Sequence, residues 1–151
     1  MNRRILKEIS VLEKDNYLID NYPCDIYCDT MIKIYLNPNF IVKFKFDSYY
    51  PFVKPKVYII YNDTEYEYIN YTHLNYPRYI EQLNLDNIKC FCRDTLMCKD
   101  WSPRIQIIDI IRDIKNMKKN ISLVIYKSYL RKICINNNIP FDIMYIIFSY
   151  L

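Results

Sequence analysis

Residues 40–61 read FIVKFKFDSYYPFVKPKVYIIY. In the first seven, Val42, Phe44 and Phe46 alternate with Lys43 and Lys45, the period of a strand with one buried face. A turn carrying Pro51 and Pro55 follows, and KVYIIY at 56–61 resumes a β-branched, apolar run. The flanks extend this unit in both directions. MIKIYL at 31–36 sets Ile32 and Ile34 against Lys33 and reaches Phe40 through the tight turn NPN at 37–39. Downstream, Asn62-Asp63 stands between KVYIIY and EYEYINY (65–71), a hairpin with Asn-Asp in place of the more usual Asn-Gly. These segments predict an antiparallel meander of about four strands.

Helices flank the meander. NRRILKEISVLEKDN at 2–16 is amphipathic, with Ile5, Leu6, Ile9 and Leu12 expected on its buried face. SPRIQIIDIIRDIKNMKK at 102–119 predicts a second helix, with Ser102 as N-cap, Pro103 as first helical residue, and Ile107, Ile110, Ile111, Ile114 and Met117 inward. A further helical stretch spans about Leu123 to Ile135, the Asn run at 136–138 breaks it, and Pro140 opens a last apolar helix. The order makes an α+β chain, with a core domain at 1–135 and a helical tail at 136–151.

Composition narrows the function classes. A chain of 151 residues with 52% hydrophobic content buries a real core. Glycine is absent, so turns needing positive φ must use Asn or Asp. The net charge of +4 is scattered, and the nearest basic cluster, MKKN, reads as a solvated helix end, not a nucleic-acid stripe. No signal peptide is visible and the longest apolar run, IMYIIF, is far too short to span a membrane. The six cysteines therefore read as reduced thiols of a cytoplasmic or nuclear protein.

Three of them fall in CFCRDTLMCKDWSP, residues 90–103. Cys90, Cys92 and Cys98 would need a fourth ligand to hold zinc, from Cys24, Cys28 or His73, and C-x-C-x5-C is not a recurrent zinc spacing. Buried structural thiols are the plainer reading of any one of them. The frame around them points elsewhere. RRILKEISVLEKD (3–15), FDSYYPFVKPKVYI (46–59) and CRDTL…WSP before an Ile-rich helix together resemble, in order and spacing, the ubiquitin-conjugating enzyme family over residues 3–120.

The resemblance implies a ubiquitin-conjugating-enzyme-like fold and a thioester-forming transferase. Asp94 and Leu96 keep step with Cys92, making it the thiol that takes ubiquitin or a ubiquitin-like modifier from an activating enzyme. It would hand the modifier to a substrate lysine or a ligase cysteine. A thiolate suits this chemistry, being nucleophilic while leaving the acyl group activated. No metal or other cofactor is implied. The family's oxyanion-stabilising Asn falls on Asn75, within His73-Leu74-Asn75, or on the nearer Asn84. Ligase contacts fall on Arg4, Lys7, Phe52, Pro103 and Arg104. Two departures stand out: Leu74 replaces the family's Pro, and KNMKKNISLV (115–124) occupies the place of an acidic loop that helps deprotonate the incoming lysine. These leave open an inert variant that only binds ubiquitin or a partner. The tail, IPFDIMYIIFSYL, resembles the first line of an F-box motif, although its shortness favours a capping helix.

Overall fold

The computed structural model describes residues 2–22, 30–73, 96 and 101–149. Helix α1 (Arg3–Lys14) precedes five strands: β1 (Leu18–Tyr22), β2 (Thr30–Asn37), β3 (Phe40–Phe46), β4 (Lys56–Tyr61) and β5 (Thr64–Glu67). Then come a short helix α2 (Tyr68–His73), a 30-residue helix α3 (Ile107–Asn136) and α4 (Phe141–Ser149). The α+β class is as the sequence predicts. The strands form one antiparallel meander in the order β1-β2-β3-β4-β5.

Five strands replace the expected four. The addition is β1, whose LIDNY lacks a strong alternating signal but pairs along β2 from Leu18↔Tyr35 to Tyr22↔Met31. Correspondingly, EYEYINY is not a strand throughout: β5 ends at Glu67 and the chain turns helical at Tyr68, which is buried.

One face of the sheet carries Ile32, Ile34, Val42, Phe44, Phe46, Val57 and Ile59, all buried, as the alternation requires. Against it lie Ile5, Ile9 and Leu12 of α1 and Ile107, Ile108, Ile110, Ile111, Ile114 and Met117 of α3. Leu6, expected inside, is 46% exposed; the fourth buried position of α1 is Glu8.

The glycine-free chain turns on Asn and Asp. Among the described residues, positive φ occurs at Asn16, Asn62, Asp63 and Asn138. Asn62 (φ 47°) and Asp63 (φ 62°) close the β4–β5 hairpin in the doubly left-handed conformation that matches strand twist. Asn16 and Asn138 each end a helix. Tyr17 N–H donates to the Leu12 carbonyl (3.1 Å) and Asn16 N–H to that of Glu13 (3.0 Å); Ile139 and Asn138 repeat the pattern on Cys134 and Ile135. Both are Schellman closures with Asn where glycine is usual.

Helix α3 departs from expectation at its start and in its continuity. Ser102 caps only a single turn, its carbonyl accepting from Ile105 N–H at 3.0 Å. The helix begins at Ile107, with Asp109 Oδ2 accepting from Gln106 N–H at 3.0 Å. It then runs unbroken through residues 115–124, since neither Pro nor Gly interrupts it. Beyond Ile121, α3 contributes nothing to the core cluster.

Candidate functional site

The loop after β3 is shaped by its own polar groups. Asp47 Oδ1 accepts from Tyr49 N–H (2.9 Å), the Asp47 carbonyl from Tyr50 N–H (3.0 Å), and the Tyr49 carbonyl from Phe52 N–H (2.8 Å). The Tyr50–Pro51 peptide is cis. This compact turn sends Tyr50 inward, 2% exposed, and Phe52 outward, 78% exposed, with Tyr49 and Val53 exposed beside it. Tyr50 packs edge-on against Phe46, ring centroids 4.7 Å apart, and lies 6.4 Å from the Trp101 ring.

At the centre is the Glu8 carboxylate. It accepts from Tyr50 Oη on both oxygens (3.0 and 2.9 Å), from Ile107 N–H at 2.7 Å, and from Arg4 Nε one turn earlier on α1. Ile107 is the first residue of α3, so the buried anion meets an orphan N–H at the positive end of the helix dipole. A buried carboxylate survives only with such partners. The charge also acts on its neighbours. Arg4 is held more firmly protonated, chiefly by its hydrogen bond to Glu8. Burial pushes the Tyr50 hydroxyl well above the usual phenol range, and the adjacent Glu8 charge adds to it.

Further bonds close the assembly. Asn2 caps α1 by accepting from Arg4 N–H (2.9 Å) while its amide donates to the Tyr50 carbonyl (2.6 Å). Trp101 Nε1 donates to the Pro51 carbonyl at 2.7 Å, and Arg4 Nη2 reaches the Pro103 carbonyl at 3.4 Å. Three segments far apart in sequence thus meet around one carboxylate: the start of α1, the Tyr-Pro-Phe turn and the Trp-Ser-Pro turn.

The sequence-predicted partner residues sort accordingly. Arg4 and Pro103 are in direct contact, Arg104 is exposed beside them, and Phe52 adjoins the Pro51 carbonyl that Trp101 grips. Lys7 is exposed one turn along α1 from Arg4. Tyr49, Phe52 and Val53 are the exposed apolar side chains of the Tyr-Pro-Phe turn. Cys92, Asn75 and Asn84, like Cys90, Cys98, Cys24 and Cys28, lie outside the described residues. His73 ends α2. Within CRDTL, Leu96 is described: its N–H donates to Asp113 Oδ2 of α3 at 2.9 Å.

Sequence reasoning missed Glu8 and Asp113. For Glu8 a signal exists. Ile5, Ile9 and Leu12 lie within an arc of about 60° on the helical wheel; position 8 falls about 40° outside it and position 6 about 60° outside it. Among the described residues, no three His, Cys, Asp or Glu side chains cluster as a metal site would require, and no helix is long and apolar enough to cross a membrane. No protein-family model, curated protein or solved structure matches the chain.

Proposed function

We propose that this chain is a divergent ubiquitin-conjugating-type transferase that carries ubiquitin or a ubiquitin-like modifier as a thioester on Cys92. The observation that carries the reading is the convergence on Glu8. The family-like first helix, the Tyr-Pro-Phe turn and the Trp-Ser-Pro end of the third segment are held together by this carboxylate and the Trp101–Pro51 bond. Chance matches at three places in a chain have no reason to meet in space. The order α1, antiparallel meander, Trp-Ser-Pro turn and long helix supports the same family fold.

In this reading the Cys92 thiolate attacks the thioester carbonyl presented by the activating enzyme. A new sulfur–acyl bond forms, the enzyme's thiolate leaves, and Asn75 or Asn84 stabilises the oxyanion between them. The surface of Arg4, Lys7, Phe52, Pro103 and Arg104 receives the ligase, with Phe52 as anchor and the cations as a polar rim. Substrate proteins supply the lysine in direct transfer. The site of action is cytoplasmic or nuclear.

Helix α3 qualifies the second half-reaction. It is continuous through residues 115–124, where the resemblance implies an acidic loop, and that segment carries Lys115, Lys118 and Lys119 and no acid. This favours hand-off to a ligase cysteine over unaided transfer to lysine. It also sustains the alternative, an inert variant that only binds a partner. Incubation with activating enzyme, ATP and ubiquitin distinguishes them. The transferase gives a thiol-labile adduct that Cys92→Ala abolishes and Cys90→Ala and Cys98→Ala retain. No adduct with ubiquitin or its common relatives defeats the transferase reading.

A further inference from the structure

Helix α3 is 30 residues, about 45 Å, and only its first half is needed by the core. In the second half an exposed seam emerges. Lys115, Lys119, Ser122, Tyr126, Tyr129 and Ile133 are spaced 4-3-4-3-4 and therefore lie on one side of a continuous helix. All six are exposed, and Tyr126, Tyr129 and Ile133 retain 51%, 58% and 53% of their surface. Large apolar side chains exposed at successive seam positions mark an interaction surface more than a solvated face.

The seam is chemically polar along its length. Its first part is cationic: Lys119 is exposed, and Lys115 donates to Tyr17 Oη at 2.6 Å while lying 4.4 Å from that ring. Its last part is aromatic and aliphatic. From Ile114 to Phe141 the sequence has six basic residues, Lys115, Lys118, Lys119, Lys127, Arg131 and Lys132, and no acid. A second copy would bring two such stretches together, which like-charge repulsion opposes. A phosphate backbone would match the lysines and leave Tyr126, Tyr129 and Ile133 uncovered, and a helix lying on an anionic bilayer sets its cations across the helix from its apolar residues, whereas this seam sets Lys115 and Lys119 in line with them. An α-helix with acids along one half and apolar residues along the other satisfies both parts at once.

We propose that this seam of α3 is a docking surface for an acidic amphipathic helix of a partner protein, pairing in heptad register. Its carboxylates face Lys115 and Lys119; its apolar residues cover Tyr126, Tyr129 and Ile133. The surface is separate from the Glu8-centred site and stands whether or not Cys92 carries a modifier.

The test uses the full chain and a fluorescein-labelled 21-residue helical peptide. The peptide has glutamates at the seam positions of one half and leucines at those of the other. Fluorescence anisotropy should show saturable binding with Kd on the order of 10 μM. The exposed-site variants Tyr126→Ala/Tyr129→Ala and Lys119→Glu, checked by circular dichroism for an unchanged fold, should each weaken it about tenfold or more. A peptide with lysines for the glutamates should bind at least tenfold more weakly. The proposal is overturned by an absence of saturable binding or by unaltered affinity in both variants. It is equally overturned if phosphatidylserine vesicles or a 20-base-pair duplex bind more tightly through the same residues, or if sedimentation shows dimers that the peptide does not dissociate.

Discussion

Replacing Glu8 with alanine should be among the most damaging single changes in the described part of the chain. Ile107 N–H and the Tyr50 hydroxyl, both on buried residues, would lose their acceptor. An unsatisfied buried donor costs about 1–3 kcal/mol, giving about 4 kcal/mol for the pair. Arg4 adds less, because its side chain is 33% exposed and regains water. Removing a buried charge also recovers some desolvation cost, so the net loss should be about 3 kcal/mol. Glu8→Gln keeps one carbonyl oxygen and should lose roughly half as much. Glu13→Ala, on the exposed side of the same helix, should stay within about 0.5 kcal/mol of wild type. Urea unfolding followed by circular dichroism measures all three as midpoint shifts at constant slope. A double-mutant cycle with Tyr50→Phe should then give a coupling of about 1–2 kcal/mol. A Glu8→Ala loss below 1 kcal/mol, or no coupling to Tyr50, would show that the carboxylate does not organise the site.

Three other outcomes follow from the same structure. Burial raises the Tyr50 hydroxyl, and burial with the nearby Tyr61 and Tyr66 pushes Tyr71 up to about 12; neutral forms are favoured in the fold, so stability should be intact below pH 10 and fall as pH rises toward 12, by up to about 1.4 kcal/mol per pH unit per tyrosine. Urea midpoints at pH 8, 10 and 11 check this, and a flat profile would contradict it. Asp63→Gly, at φ 62° in the β4–β5 turn, should raise stability by about 0.5 kcal/mol, whereas Asp63→Val should lower it by 1 kcal/mol or more, both read from the same unfolding curves. Phe52→Ala should leave stability unchanged within about 0.5 kcal/mol, the side chain being 78% exposed, yet should reduce ligase-stimulated discharge of the charged protein at least tenfold.

The sheet was legible because its inward residues alternate with charge. Val42, Phe44 and Phe46 against Lys43 and Lys45 leave one face that water rejects, and the Asn-Asp hairpin follows from the absence of glycine. What escaped depends on contacts across the chain. The LIDNY strand is held by pairing with β2, not by its own pattern. The first residue of α3 is fixed by the Gln106–Asp109 capping box together with Glu8, 99 positions away, and not by the nearby Ser-Pro. The interruption expected between Lys119 and Leu123 does not occur, because neither Pro nor Gly stands there and Met117 and Ile121 hold that turn on the core. Leu6 and Glu8 exchanged expected places because a polar residue inside requires partners that only the fold reveals. Of the residues named from the sequence, Arg4 and Pro103 are in contact. Glu8, which accepts from Arg4, Tyr50 and Ile107, was not legible.

The intact mass of the protein after charging tests the central claim most directly. With activating enzyme, ATP and ubiquitin, wild-type protein should gain the mass of one ubiquitin less one water, and thiol should reverse the gain. Cys92→Ser should gain the same mass as an oxyester that thiol leaves intact. An unchanged mass in both, or an adduct that survives Cys92→Ala, would contradict the account.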